Sequence, residues 1–222
     1  QQNRNTHRLL RIRLRLPTAL IAPCLVVPVQ LQAELKLAPS QSIVLSVGRV
    51  TSQKGHIYLL EAIPGIVKRC PDTVFLIAGE GPLRKSLQQE SVKMGVDQNI
   101  YFLGSRFDIP ELLSIADIFV LPSLSEGMPI ALLEAMSMAV PVVATNLDQI
   151  SAFVEHDQQG LLVEPKDVVA LSESIIWLLE NKTGREKLGR AGRIVVRDFY
   201  SADQMCRAYE QLFFRKFGVE SK

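Results

Sequence analysis

Short β-branched, apolar segments alternate with segments of helical periodicity from residue 42 onward. The strand pattern falls at residues 43–47, 74–78, 100–103, 118–121, 141–144 and 161–163. The helical spacing i, i+3, i+4 falls at residues 57–67, 83–94, 110–116 and 129–138. Strands that are apolar on both faces and alternate with helices predict a parallel sheet covered on both sides. We therefore predict a doubly wound, Rossmann-like α/β domain that binds its ligand at the carboxyl ends of the strands.

Two or three further helices are predicted to close the chain. Ser201 and Gln204 have the spacing of a capping box and predict a last helix over residues 202–217. This helix places three aromatic side chains on neighbouring turns, namely Phe213, Phe214 and Phe217. Such a patch favours self-association if it stays exposed, unless residues 1–30 cover it.

Residues 1–30 differ from the rest of the chain. Residues 8–16 alternate basic and apolar, and a proline-punctuated apolar run follows them. One interpretation is a basic arm that binds RNA or anionic lipid. The favoured interpretation is a truncation remnant or a poorly ordered tail, and a chain that does not begin with Met fits a fragment. Five of the 25 Lys and Arg residues lie among the first 15 residues, which carry no acid. The remainder is mildly acidic, which argues against a nucleic-acid partner.

The lengths of the apolar runs and the positions of the cysteines indicate the cellular compartment. No apolar run reaches the roughly 18 residues that a membrane-spanning helix needs. The three cysteines, Cys24, Cys70 and Cys206, are scattered and form no metal-ligand spacing. This pattern suits a reducing compartment and predicts a cytoplasmic protein.

A first candidate site follows the first predicted strand. Gly48 allows the backbone to approach a ligand closely. Arg49 and Lys54 place two cations at the carboxyl end of that strand, where a diphosphate could bind. Two solvated loop cations are an equally good interpretation of this segment taken alone.

A second candidate site opens the helix over residues 129–138. Gly127 and the amides after it face the loop at a helix N-terminus, which can bind anions or hydroxyl groups. Glu126 could serve only as a carboxylate that favours a helix start. Glu134 is the only charged residue of an otherwise apolar helix, so it needs a partner. That partner could be a ribose diol, or Arg49 in a structural ion pair.

Other features carry less information. Residues 79–82 form a glycine-rich turn between strand and helix, which is more often a turn than a ligand loop. The chain contains no D-x-D motif, P-loop, G-x-G-x-x-G or G-x-S-x-G. The three histidines show no ligand spacing, and His56 is expected to make a local polar contact. We therefore expect no metal site and no resident cofactor.

Taken together, these segments resemble the retaining glycosyltransferases with two Rossmann-like domains, the GT-B fold of glycosyltransferase family 4. The resemblance rests on VLSVGRVTSQKG, FLIAGEGPLRKSL, IYFLGS and ADIFVLPSLSEGMPIALLEAMSMAVPVVAT, followed by GLLVEPKD, in that order. It includes the E-x7-E motif as Glu126 and Glu134. The match covers about residues 31–217 and implies one half of a GT-B fold.

The resemblance implies a role for each motif residue. Arg49 and Lys54 would hold the nucleotide diphosphate and stabilise its charge as it leaves. Glu126 would contact the sugar hydroxyls and Glu134 the ribose. The loop from residue 104 to Arg106 would lie near the base. The remaining residues assigned to the donor site are Gly48, Gly81, Gly127, Met128, Pro129 and Ile130.

The resemblance also implies partners and domains. Residues 31–222 would form the domain that binds a UDP- or GDP-sugar, and a separate N-terminal domain would bind the acceptor, which is a glycan, a lipid or a small molecule. Without that domain the chain is expected to transfer no sugar. The alternative is a non-catalytic module that acts through a partner chain. Peripheral association with the cytoplasmic face of a membrane is left open.

Three positions depart from the family pattern. Ala139 stands where the family usually has Gly. Residues 147–149 replace a frequent Gly-Gly turn, and a common Glu is replaced near Ala152. These departures would alter donor choice or affinity without touching the charged residues of the site.

Overall fold

The computed structural model describes residues 27–200 and Gln204, and within them it forms one parallel sheet of six strands. The strands are β1 (Ser42–Val47), β2 (Thr73–Ala78), β3 (Ile100–Gly104), β4 (Ile118–Leu121), β5 (Val142–Thr145) and β6 (Leu161–Val163). Their order in the sheet is β3-β2-β1-β4-β5-β6. This order confirms the predicted doubly wound, Rossmann-like α/β class.

Eight α-helices connect or flank these strands in the described part of the chain. They are α1 (Val27–Glu34), α2 (His56–Arg69), α3 (Arg84–Lys93), α4 (Ile109–Ile115), α5 (Ile130–Ser137), α6 (Asp148–Ser151), α7 (Val168–Glu180) and α8 (Lys182–Phe199). All six strands and the four internal helices lie where the sequence predicts them. Helices α1 and α6 were not predicted.

Both faces of the sheet are buried against helices. Along β1, Val44 belongs to the apolar cluster that includes the buried residues of α2 and α7, whereas Leu45 belongs to the cluster that includes those of α4 and α5. The parallel register pairs Val44 with Phe75 of β2 and with Ile118 of β4. Because successive side chains of a strand point to opposite faces of the sheet, the same strands contribute residues to both apolar clusters.

The strand order reverses at β1. The chain builds outward from β1 through β2 to β3, then returns to add β4 on the other side of β1. The loops after β1 and β4 therefore leave the carboxyl edge of the sheet in opposite directions and open a crevice between them. This crevice is where a doubly wound fold binds its ligand.

Helix α1 crosses the predicted boundary between residues 30 and 31. Leu31 is buried in the core, and α1 packs against α4. The earlier part of the predicted arm, the cap at Ser201, the rest of the last predicted helix and its three phenylalanines lie outside the described residues. Their proposed structure and association stay predictions.

Helix α8 docks on α5 and on the turn that ends it. A Cβ atom at Gly189 of α8 would lie 2.1 Å from the carbonyl oxygen of Ala139, so only glycine permits this approach. Ala139 itself has a φ of 60°, in the left-handed region that favours glycine. The family's usual Gly at this position therefore has a conformational reason, and Ala139 carries strain.

Replacing Ala139 by Gly is expected to raise the free energy of unfolding by about 1 kcal/mol, because glycine adopts a left-handed conformation without the steric cost of a Cβ atom. Urea denaturation measures the change. The matched control is Ala191→Gly within α8, where the same substitution should lower stability by about 1 kcal/mol. A loss of stability in both variants would contradict the strain assigned to Ala139.

Candidate functional site

The loop after β1 is fastened to the loop after β4. The carbonyl oxygen of Gln53 accepts a hydrogen bond from the amide of Leu124 at 2.7 Å, and the Gln53 side chain donates to the carbonyl of Ser125 at 3.1 Å. Gly55 has a φ of 65°, and a Cβ atom there would lie 1.9 Å from the carbonyl oxygen of Pro122. A glycine is therefore required where the two loops meet.

A charge pair completes this junction. The Lys54 ammonium lies 2.7 Å from Oε1 of Glu126, whose side chain is only 3% exposed, whereas that of Lys54 is 23% exposed. The hydroxyl of Ser123 donates to the same Oε1 at 2.6 Å. A nearly buried carboxylate is tolerated here because a cation and a hydroxyl both compensate it.

The hydroxyl of Thr145 in turn holds the backbone of Ser123. The Oγ1 atom of Thr145, at the end of β5, donates to the carbonyl oxygen of Ser123 at 2.5 Å. Both side chains are buried, and neither was singled out from the sequence. Their only signal was their position, since each stands at or just beyond the carboxyl end of a predicted strand.

Arg49 lies exposed at the mouth of the crevice. Within the described part of the chain its guanidinium makes no hydrogen bond or ion pair and is therefore available to a ligand. Its neighbour Gly48 approaches the loop after β2 so closely that a Cβ atom on Gly79 would lie 1.9 Å from the Gly48 carbonyl oxygen. The glycine at position 79 therefore lets the two loops pack side by side.

Gly81 has a packing role in this structure. A Cβ atom at Gly81 would lie 2.3 Å from the carbonyl oxygen of Val50, so the glycine is required for the contact between the loops after β1 and β2. The amide of Val50 also donates to the carbonyl of Glu80 at 2.9 Å. Contact of Gly81 with a ligand stays a prediction.

The segment before α5 offers fewer free amides than the sequence suggested. Pro129 has no N–H group, and the amide of Ile130 already donates to the carbonyl of Met128 at 2.9 Å. The amides of Gly127 and Met128 make no hydrogen bond within residues 27–200. Gly127, Met128 and Ile130 are exposed toward solvent, whereas Pro129 is buried.

Glu134 is half-buried on α5, and its carboxylate forms no ion pair with Arg49 or with any other residue that the structure describes. Burial raises the pKa of this carboxyl above its ordinary value. The structural ion pair considered from the sequence is therefore absent. A desolvated carboxylate without a cation is costly, and a ligand with hydroxyl donors would stabilise it.

Arg106 is occupied by local partners. Its guanidinium donates to both carboxylate oxygens of Asp108, at 2.8 and 2.5 Å, and to Glu34 of α1 at 3.0 Å. The Arg106 guanidinium holds the pKa of Asp108 below its usual range. This arrangement ties the loop after β3 to α1 and leaves Phe107 99% exposed at its tip. The expected contact between this loop and a base stays a prediction.

His56 does not make the polar contact expected for it. The side chain is buried at the start of α2, and its Nδ1 atom has no hydrogen-bond partner among the described residues. Burial, with a smaller contribution from the charge of Lys54, lowers the pKa of His56 to about 4. His56 is therefore neutral at physiological pH and adds no charge beside Lys54.

Comparison with known proteins places this geometry in a family. Residues 30–195 match the family model of the glycosyl transferases group 1. The chain belongs to this family of glycosyltransferases. The predicted resemblance to glycosyltransferases of the GT-B fold is thereby confirmed, whereas membership of family 4 and retention of the anomeric configuration stay predictions.

Two curated relatives show how far the similarity extends. The chain is 34% identical over 151 residues to the Escherichia coli UDP-Gal:alpha-D-GlcNAc-diphosphoundecaprenol alpha-1,3-galactosyltransferase, which covers 67% of this chain and 39% of that protein. It is 33% identical over 174 residues to a phosphatidyl-myo-inositol mannosyltransferase of Mycobacterium leprae, which covers 75% and 46%. The chain thus spans about half the length of the relatives it matches, or less.

Solved structures share the fold. HepE of Anabaena, solved with UDP and glucose, superposes with a TM-score of 0.80 at 23% identity, covering 87% of this chain and 54% of that one. The C-terminal domain of a group 1 glycosyl transferase from Francisella tularensis superposes with a TM-score of 0.69 at 26% identity, covering 78% and 92%. The second match shows that a domain of this kind can be crystallised on its own. In the described part of the chain, no helix combines the length and the hydropathy that a membrane span requires.

Replacing Lys54 by Met is expected to lower the free energy of unfolding by about 1–3 kcal/mol. The substitution leaves the Glu126 carboxylate nearly buried without its cation, and the partial exposure of Lys54 keeps the loss below that of a fully buried pair. Urea denaturation at pH 7 measures it, with Lys85→Met on the exposed face of α3 as the control. Adding Glu126→Gln should restore part of the loss; a Lys54→Met variant as stable as the control would contradict the pair's role.

Replacing Glu134 by Gln is expected to flatten the pH dependence of stability. Between the ordinary pKa and the raised pKa of this carboxyl, the folded chain binds more protons than the unfolded chain, so stability falls as pH rises through that window. The Gln variant lacks this slope. Thermal unfolding measured at half-unit pH steps from about pH 4 to pH 7 compares the two proteins. Parallel curves for both would show that Glu134 is already compensated.

Proposed function

We propose that this chain binds the diphosphate and sugar of a UDP- or GDP-sugar, as the donor side of a glycosyltransferase that retains the anomeric configuration. The observation that carries the proposal is the contact between Lys54 and Glu126, which brings a cation and a carboxylate together where the strand order reverses. A nucleotide sugar presents both matching groups, an anionic diphosphate and a hydroxylated ring. The family to which the chain belongs supports the same ligand class.

The cations match the charge that develops when the sugar leaves. The ammonium of Lys54 has three N–H donors and gives one of them to Glu126, so two remain for phosphate oxygens. The unpaired guanidinium of Arg49 adds a bidentate donor at the same edge. Two cations beside a departing diphosphate would stabilise it without a bound metal, and we propose that the reaction needs none.

The carboxylates match the hydroxyl groups of the donor. Oε1 of Glu126 is held by Lys54 and Ser123, so the second oxygen is left to accept from a sugar hydroxyl. Glu134 has no cation among the described residues and suits the two hydroxyls of a ribose. The amides of Gly127 and Met128 provide donors at the start of α5.

The donor and acceptor classes rest on what the relatives' names say. The Escherichia coli relative uses UDP-galactose, and HepE was solved with UDP and glucose, so we propose UDP-sugars ahead of GDP-sugars. The name of the Escherichia coli enzyme gives its acceptor as GlcNAc-diphosphoundecaprenol, and that of the Mycobacterium leprae enzyme refers to phosphatidyl-myo-inositol. We propose a lipid-linked or glycan acceptor, held by a further domain. Location at the cytoplasmic face of a membrane stays a prediction.

Calorimetry in EDTA tests the proposal. The purified chain is titrated with UDP, GDP, UDP-glucose and GDP-mannose, and we expect binding to at least one nucleotide series without metal. Replacing Arg49 by Ala should weaken that binding about tenfold, the usual effect of removing one hydrogen bond to a charged group. The matched control is Arg193→Ala, because Arg193 is also an exposed arginine but lies on α8, outside the residues assigned to the site. No binding at millimolar concentration to any of the four ligands would refute the proposal.

Sugar transfer is expected to be absent from the chain alone. The described residues offer groups for the donor, but catalysis also requires an acceptor held within about 3–3.5 Å of the reacting atom. Incubation of the purified chain with a radiolabelled UDP-sugar and lipid-linked or glycan acceptors measures this. Robust transfer would show that the chain positions an acceptor by itself. That result would overturn the proposal that a further domain holds the acceptor.

A further inference from the structure

The carboxylate of Glu126 is fixed through one oxygen only. Both of its donors, the Lys54 ammonium at 2.7 Å and the Ser123 hydroxyl at 2.6 Å, point to Oε1. Oε2 accepts no hydrogen bond from the residues that the structure describes. Two donors on one oxygen set the direction of the other, which a flexible glutamate side chain would not hold by itself.

The two donors differ in mobility. Lys54 has a long side chain that is 23% exposed, and a bound phosphate would share its ammonium with Glu126. Ser123 is fully buried and has a short side chain with one rotatable carbon bond. A bound diphosphate therefore changes the surroundings of Lys54 directly, whereas the Ser123 hydroxyl continues to hold Oε1 as it does in the free protein.

Thr145 fixes Ser123 in turn. Its hydroxyl donates to the carbonyl oxygen of Ser123 at 2.5 Å, which couples the end of β5 to the loop after β4. The two strands are neighbours in the sheet, so this bond crosses from one rigid strand to the residue that orients Glu126. Ser123 is thus held by its backbone and uses its side chain on the carboxylate.

We propose that Ser123 is a positioning residue for Glu126, secured by Thr145, and that this pair sets the preference for a sugar-bearing donor over the bare nucleotide. The proposal rests on the proposed function, because it takes Glu126 to contact the sugar. Ser123 itself touches no ligand. Its effect should therefore appear in the ratio of the dissociation constants for UDP and UDP-glucose rather than in the affinity for UDP.

Calorimetry on the 222-residue chain measures that ratio. Ser123→Ala should weaken UDP-glucose binding roughly tenfold while UDP binding changes less than about threefold, because one hydrogen bond to a charged group is lost on the sugar side alone. Ser123→Cys keeps a weaker hydrogen-bond donor, so its ratio of dissociation constants should lie between those of the wild type and Ser123→Ala. Thr145→Val, which preserves shape, should reduce the preference by a smaller factor. If Ser123→Ala weakens UDP and UDP-glucose equally, the proposal is wrong.

Ser46→Ala is the matched control. Ser46 is also fully buried, on the neighbouring strand β1, but its hydroxyl has no hydrogen-bond partner in the described part of the chain. Its replacement should leave both dissociation constants unchanged. A loss of the UDP-glucose preference in this control equal to that of Ser123→Ala would show a general effect of cutting buried hydroxyls and would overturn the proposal.

A double-mutant cycle separates positioning from mere stability. In a Glu126→Ala background there is no carboxylate to orient, so Ser123→Ala should change the ratio no further. A structural role would act in both backgrounds alike. Equal effects of Ser123→Ala with and without Glu126 would therefore contradict the proposal.

Crystal structures of the ligand-free chain give a test that needs no binding. In Ser123→Ala the Glu126 carboxylate should move by more than about 0.5 Å or occupy two orientations, whereas in Ser46→Ala it should stay. An unmoved carboxylate in Ser123→Ala would overturn the positioning role. Failure of all nucleotides to bind the wild-type chain would instead refute the proposed function, and the two failures are thus distinguishable.

Discussion

The ion pair between Lys54 and Glu126 is the interaction on which the candidate site depends. It joins two loops that leave the sheet in opposite directions, and the hydrogen bonds of Gln53 and the close approach of Gly55 to Pro122 reinforce it. A carboxylate buried to this degree is stable only while its partners remain, so the fold and the site are coupled. The same geometry leaves a cation and an acceptor oxygen side by side.

The two glutamates of the E-x7-E motif differ in burial and in the partners of their carboxylates. Glu126 is deeply buried but compensated by Lys54 and Ser123, whereas Glu134 is less buried and has no partner among the described residues. Burial raises the pKa of Glu134, so its charged form is less favourable than that of a solvent-exposed carboxylate. A ligand that donates hydrogen bonds to Glu134 would compensate this desolvated carboxylate. The free energy that the unpaired carboxylate costs the ligand-free chain would then contribute to the affinity for the ligand.

The order of strands and helices could be read from periodicity, because buried parallel strands and amphipathic helices differ in period and length. Helix α6 was missed since it has a single turn. Helix α1 was missed because it packs against α4, a helix far along the chain, through a face that includes the buried Leu31. Lys54 and Glu126 were both singled out, but their contact spans 72 positions and no local pattern encodes it. Ser123 and Thr145 are common residue types whose role appears only once the neighbouring strands are in register.

Mapping of ligand contacts by NMR tests the central claim most directly. In a titration of the isotope-labelled chain with UDP-glucose, the largest amide shifts should fall on the loop after β1, residues 48–55, and on residues 123–134. Those segments meet only because the strand order reverses between β1 and β4. Shifts concentrated elsewhere, such as the cavity beside β3 lined by Ser91, Val92 and Tyr101, would contradict the account.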